Sequence, residues 1–343
     1  MLDAVPFGDN CGMMVSRLCL GTMNFGQSGP GHQGDWTLGP DEARQVFKVA
    51  LDHGLFFFDS ADVYGQGASE EVVGSLLRKL LPREQYVIAT KVSYPMGLHP
   101  NEAGLSRKHV LEGVNASLER LGLDYVDLLV IHRHPHGIGG LTHVPIEESL
   151  EALHEVVKAG KALYLGASSM FAWQFVELQM TATMNGWTPF VSMQNLYNLV
   201  YREEEREMNP YCWENGVALT PWSPLARGVL TGSYRGGFAA GTTSRSSGQD
   251  RARTESLYRG RPTFSIAERV GQVAERMGVK PAQVSLAWLL GKEEVTSPIV
   301  GVSSASQLNE LLAAGDIQLD ASDVEFLEEL YEPVENLLSL GSS

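Results

Sequence analysis

Short apolar runs alternate with helical stripes along most of the chain. Arg17–Met23, Leu55–Ser60, Tyr86–Val92, Val126–His132, Ala162–Ser168, Phe190–Asn195, Val217–Ser223 and Ser297–Ser303 read as buried strands. Between them the apolar period lengthens. Ala43, Val46, Phe47, Ala50 and Leu51 fall on one helical face, and Gly54 closes it. Val72, Val73, Leu76, Leu77 and Leu80 form a second stripe, with Ser69 as its expected cap. Val110, Leu111, Val114, Leu118 and Leu121 form a third, capped by Ser106.

Strand starts recur roughly every 25–40 residues, the span of one strand–helix unit. Two segments break the cadence. Arg235–Pro262 is rich in Gly, Ser and Arg without an apolar period, and predicts a long loop after strand seven. From Asp320 a last helix is expected, followed by a frayed end. Eight strand–helix units predict an α/β fold, a (β/α)8 barrel, with residues 1–343 as a single domain. No GxGxxG follows the first strand, which argues against a doubly wound dinucleotide fold.

Composition narrows the classes of function. Hydrophobic residues make up 43% of the 343 and charged residues 20%, as in ordinary globular proteins. The net charge of −15 disfavours nucleic acid and anionic membrane surfaces as partners. Cys11, Cys19 and Cys212 are odd in number and scattered, so no disulfide framework is read, and a reducing cytoplasm is the expected location. No signal peptide or membrane span is read.

Barrel chemistry gathers at the C-terminal ends of strands. There the sequence places Asp59 and Tyr64 after strand two, Lys91 on strand three and His132 on strand four. An ordinary phenol titrates near about pH 10, and a neighbouring ammonium lowers that value. Asp59 would hold Lys91 charged, and His132 would orient a substrate oxygen beside the Tyr64 hydroxyl. The stretch Ile131-His-Arg-His-Pro-His136 also raises a zinc site. His132 and His134 share strand parity, but Pro135 ends the strand, and the other strand ends offer Lys91, Ser168, Gln194 and Trp222, which are poor zinc ligands. No metal is expected, and His134 and His136 read as loop residues, substrate-facing or solvated.

These residues resemble the aldo-keto reductases, from about Ser16 to about Leu330. The resemblance is carried by Phe58–Gly74 (FDSADVYGQGASEEVVG), IATKV, LGLDYVDLLVIH, GKALYLGASSM, MQNLYNLVYR, TPWSPLARGVLTG and SPIVGVSSASQLNELLAA, in family order. The PWSPLARGVLTG stretch is similar to bacterial members related to potassium-channel β-subunits. The resemblance implies a carbonyl reductase, running equally as an alcohol dehydrogenase, that prefers NADP(H) and can accept NAD(H). It puts Asp59, Tyr64, Lys91 and His132 on the catalytic positions, with Tyr64 as proton donor. It implies that Ser168, Ser169 and Gln194 hold the nicotinamide carboxamide, that Trp222 stacks on the ring, and that Gly21, Thr22 and Met23 lie beneath it. Ser223, Pro224, Leu225, Arg227 and Gly228 would follow the pyrophosphate. Gly301, Ser303 and Gln307 would meet the adenosine end.

The sequence departs from the family at Ser169, where many relatives have Asn. It departs again at Ser304 and Leu311, where many have Arg and Asn. Losing that Arg would weaken discrimination for NADPH, unless Arg245, Arg251 or Arg253 replaces it. An aromatic pocket near Phe25, Tyr94 and Trp222 is expected for the small-molecule carbonyl or alcohol. The sequence leaves the substrate and the oligomeric state open. Two rivals stay beside the reductase: a cofactor-loaded regulatory subunit with slow turnover, and a metal-dependent barrel hydrolase.

Overall fold

The computed structural model describes residues 2–26, 37–136, 144–234, 236–241 and 248–333. The chain opens with an antiparallel hairpin, β1 (Ala4–Pro6) and β2 (Met14–Ser16). Eight parallel strands follow: β3 (Cys19–Gly21), β4 (Phe57–Asp59), β5 (Val87–Val92), β6 (Val126–Ile131), β7 (Ala162–Ser168), β8 (Phe190–Gln194), β9 (Ala218–Leu219) and β10 (Ile299–Val300). Their order is β10-β3-β4-β5-β6-β7-β8-β9. Parallel bridges Leu219↔Val295 and Trp222↔Ile299 join the two ends of that order, so the sheet closes on itself. This is the expected (β/α)8 barrel.

The helices are α1 (Pro40–Asp52), α2 (Ala68–Leu80), α3 (Arg107–Leu121), α4 (Ile146–Lys158), α5 (Ala172–Met184), α6 (Met208–Glu214), α7 (Gly248–Tyr258), α8 (Thr263–Met277), α9 (Pro281–Leu290), α10 (Ala305–Leu312) and α11 (Ala321–Glu328). In α1 the buried residues are Ala43, Val46, Phe47 and Ala50, the stripe read from the sequence. Ser106 caps α3 by accepting from the His109 backbone N–H, and Asp320 caps α11 by accepting from Asp323.

Two hydrophobic layers result. The helices pack outside the strands around residues such as Phe47, Phe58, Leu77, Leu129 and Leu165. Inside the barrel lie Cys19, Phe57, Ala89, Leu128, Val130 and Val191. Phe7, between β1 and β2, meets the Phe57 ring edge-on at 5.6 Å and plugs the end where the strands begin. The hairpin was not anticipated from the sequence. Its strands are three residues each, too short for a visible period.

Three expectations need correction. The seventh and eighth strands shrink to two residues each, because Pro221 and Pro298 lack the N–H that a central ladder requires. Ser69 does not cap α2; the position belongs to Gly67, at φ 95°. The Ser69 hydroxyl instead donates to the Thr22 carbonyl at 2.8 Å. The segment Arg235–Pro262 is not all loop, since it contains α7. Of that helix, Thr254 and Tyr258 are buried, too few to give an apolar stripe.

Candidate active site

Short strands that stop together bring their last residues to one rim. Asp59 ends β4, Lys91 lies near the end of β5, and His132 follows β6. Tyr64 starts the turn before α2, where Gly65 (φ 59°), Gln66 (φ 55°) and Gly67 (φ 95°) take left-handed backbone. That turn brings the tyrosine back over the rim.

The Lys91 ammonium has three acceptors, matching its three N–H bonds. They are Asp59 Oδ2 at 2.6 Å, the Ser60 carbonyl at 2.7 Å and the Tyr64 hydroxyl at 3.2 Å. The other Asp59 oxygen accepts from Gln194 Nε2 at 2.9 Å. Both members of the Lys91–Asp59 pair are buried. Burial opposes the Lys91 charge most strongly, but Asp59 and Tyr64 together outweigh it, so the ammonium titrates above its ordinary value. Tyr64 departs from the sequence expectation. Burial of its hydroxyl raises its pKa, and the Lys91 charge offsets this only in part. Lysine lowers the phenol as anticipated, yet the low-dielectric surroundings win in this site.

His132 stands edge-on to Tyr64 at 5.8 Å and to Tyr94 at 4.8 Å. Burial first, then Lys91 and Arg133, holds its pKa well below the ordinary range, so the ring is neutral. Its buried Nδ1 has no hydrogen-bond partner among the described residues. A polar atom so placed is costly unless a ligand meets it.

The remaining predicted residues form a crescent beside this group. Gly21 ends β3. A Cβ there would come within 2.8 Å of Ile299 Cγ2. The Thr22 hydroxyl donates to the Asp59 carbonyl at 3.0 Å, and Met23 is half-buried. Ser168 ends β7, and its hydroxyl meets that of Ser169 at 3.1 Å. Ser169 is at φ 52° and accepts from Trp222 Nε1 at 3.0 Å. Those two serines do not cap α5, whose cap position is Phe171. Beyond Trp222, left-handed backbone recurs at Ser223, Ala226, Arg227 and Gly228, while Pro224 is buried and Leu225 half-buried. Such a turn sequence can present N–H groups to an anion. Gly301 is exposed with open space where a Cβ would stand. Ser303 donates to Gln307 Oε1 at 2.9 Å, and Ser304 caps α10. Taken together, the donor set suits an elongated ligand with an amide at one end and phosphates along it.

Three features differ from expectation. Arg227 turns into α7, bonding Asp250 and, at 3.1 Å, Thr254. Phe25 is fully buried against Phe47 at 5.8 Å and lines no pocket. His134 is buried rather than solvated, and accepts from the His136 backbone N–H at 3.2 Å. Of the three arginines considered as a replacement cation, Arg245 lies outside the described residues. Among the described residues no group of three His, Cys, Asp or Glu could hold a metal ion. Sequence reasoning missed Ser60, whose contribution is a carbonyl, and Arg133, whose guanidinium lies 5.3 Å from the Tyr94 ring centre. Adjacency to His132 was the available signal for Arg133.

Barrel and rim together define an oxidoreductase-type site, and comparison with known proteins assigns its class. The model of the aldo/keto reductase family matches residues 17–332, and the chain belongs to that family. A protein of Schizosaccharomyces pombe provisionally named an aryl-alcohol dehydrogenase is 42% identical, over 95% of each chain. Versiconal hemiacetal acetate reductase of Aspergillus parasiticus is 41% identical, over 97% of this chain and 98% of that one. An aldo-keto reductase of Fusarium vanettenii is 39% identical, over 94% and 90%. These relatives are fungal. Among the described residues no helix is long and apolar enough to cross a membrane.

Proposed function

We propose that the protein interconverts an aldehyde or ketone and its alcohol, using NADP(H) in preference to NAD(H). The observation that carries this reading is the contact chain Asp59–Lys91–Tyr64, at 2.6 and 3.2 Å, with a neutral His132 beside the phenol. A bound nicotinamide supplies or accepts the hydride. In reduction, the Tyr64 hydroxyl donates a proton to the carbonyl oxygen, and Lys91 stabilises the phenolate left behind. Asp59 keeps Lys91 charged, and Gln194 holds Asp59. His132 positions the substrate oxygen by hydrogen bonding without adding charge. In oxidation, Tyr64 takes the proton back from the alcohol.

Ser168, Ser169, Gln194 and Trp222 are assigned to the nicotinamide end. Gly21, Thr22 and Met23 are assigned beneath it. Ser223, Pro224, Leu225, Arg227 and Gly228 are assigned to the pyrophosphate, and Gly301, Ser303 and Gln307 to the adenosine. The aryl-alcohol dehydrogenase names of two relatives, with Tyr94 and Trp222 at the rim, favour an aromatic carbonyl as substrate. The PWSPLARGVLTG stretch supports a place near the branch related to potassium-channel β-subunits. The relatives' dehydrogenase and reductase names favour turnover over a purely sensing role. One barrel unit spanning the chain and a cytoplasmic location belong to the same reading.

The test combines binding and turnover. Titration with NADPH and NADH should quench tryptophan fluorescence through Trp222, more strongly with NADPH. Tyr64→Phe should keep that quenching and lose about 10²–10⁴-fold in turnover on benzaldehyde. Near-wild-type turnover in Tyr64→Phe, or no saturable response to either cofactor, would overturn the assignment.

A further inference from the structure

We infer that Arg133, with Arg253 across the mouth of the site, binds a carboxylate on the substrate, so that the preferred carbonyl compounds are acids. The inference rests on the reductase reading for the word substrate, and on Arg133 for the rest.

Most other half-buried arginines among the described residues meet a carboxylate, while Arg17 and Arg261 donate to backbone carbonyls instead. Arg83 meets Asp127, Arg120 meets Glu70, Arg202 meets Glu205 and Glu328, Arg227 meets Asp250, and Arg269 meets Glu329. Arg133 is half-buried as well, yet it forms no ion pair among the described residues. Among the described residues its hydrogen bond is from Nη1 to the His132 carbonyl at 2.6 Å. Its guanidinium stands over Tyr94, the ring packed on His132. Unlike Arg17, which donates to three carbonyls, Arg133 makes a single hydrogen bond among the described residues and stands beside the rim.

A second positive charge reinforces the first. The Arg227 contacts to Asp250 and Thr254 fix α7 beside the site, and Arg253 lies one residue before that anchor. Arg253 is exposed, and its charge helps lower the Arg133 pKa, behind burial as the main cause. A desolvated guanidinium that feels a second positive charge favours an arriving anion. The fork of Arg133 retains unused N–H donors for bidentate recognition of a carboxylate. The Arg133 guanidinium stands over the Tyr94 ring that packs on His132, and its charge acts on Tyr64 and His132, which places the anion-binding group beside the reacting carbonyl, and separate from the turn at Ser223–Gly228 assigned to the pyrophosphate.

Paired probes test this. Benzoate and its neutral analogue benzamide are titrated into the full chain, with and without NADP+, followed by tryptophan fluorescence. The ratio of kcat/KM for 4-carboxybenzaldehyde over benzaldehyde is then measured. Wild type should favour the acid by about tenfold or more in both assays, the scale of one hydrogen bond to a charged group. Arg133→Met should bring both ratios close to one, Arg133→Lys should restore part, and Arg253→Met should lower them less. Equal binding of benzoate and benzamide by wild type would overturn the proposal, and so would ratios that survive Arg133→Met. Should Arg133→Met fail to fold, the wild-type benzoate preference and its partial loss in Arg133→Lys still decide. No turnover of either aldehyde, with an Arg133-dependent benzoate preference intact, would strike the reductase reading and support the anion site.

Discussion

Burial sets the protonation of the site residues before any ligand is considered. Lys91 is fully enclosed, and its contacts with Asp59 and Tyr64 keep it charged. Removing Lys91 or Asp59 would strand a buried charge, a loss of about 3–5 kcal/mol by analogy with other buried pairs. Histidine shows the opposite balance. His134 is pushed down to about 4 by burial first, with His136 adding to the effect. The native state therefore binds a proton less readily than the unfolded chain. The resulting stability is fully present above pH 6.5, the ordinary value, and is lost as pH falls towards 4. His134→Gln should flatten the decline of the urea midpoint across that window. An unchanged slope would mean that His134 does not titrate in this way. The chemistry-bearing side chains Asp59, Tyr64, Lys91 and His132 were legible because each ends, or closely follows, an apolar run. The pKa of Tyr64 was not, since its sign depends on how far burial outweighs a neighbouring charge, a quantity absent from the sequence.

At the level of elements, legibility followed apolar period. The stripes of α1 and α3 were plain, and so was the Ser106 cap. α7 escaped because, among its described side chains, it buries two, and β1 and β2 because three residues carry no pattern. Close approach between helices is another property that the sequence hides. Gly74 lies in α2 where a Cβ would stand 2.1 Å from the Leu121 carbonyl oxygen of α3. That neighbour is backbone and cannot swing aside. Gly271, inside α8, has nothing within 4 Å of the same position. The two glycines should thus respond oppositely to alanine. Gly271→Ala should gain about 0.5–1 kcal/mol through helix propensity. Gly74→Ala should lose about 1–3 kcal/mol, because the gain is outweighed by overpacking. Urea midpoints of the two variants check the contrast, and a stabilised Gly74→Ala would show that α2 and α3 can slide apart.

For the whole molecule, the difficulty is closing a sheet whose last two strands are two residues long. Prolines remove donors just where β9 and β10 must meet, leaving few ladder bonds, among them Ile299 N–H to the Pro221 carbonyl at 2.8 Å and Thr296 N–H to the Leu219 carbonyl at 2.9 Å. Arg17, just before β3, spans the gap from the other side. Its guanidinium donates to the carbonyls of Leu290 at 2.6 Å and Thr296 at 2.7 Å, and also to that of Val295. Burial lowers its pKa, and the carbonyls stand in for a counter-ion. One side chain thereby ties the first barrel strand to the segment between α9 and β10. Arg17→Met would leave carbonyls of three residues without their donor, at a cost of about 3 kcal/mol. The loss should appear as a lower urea midpoint. It should also appear as faster amide exchange at Ile299 and Thr296 than in α3, on the far side of the barrel, because the damage is to closure and not to the helical layer. Uniform acceleration at all three positions would show instead that the barrel opens only by global unfolding, and that the seam at β9 and β10 is no weaker than the rest.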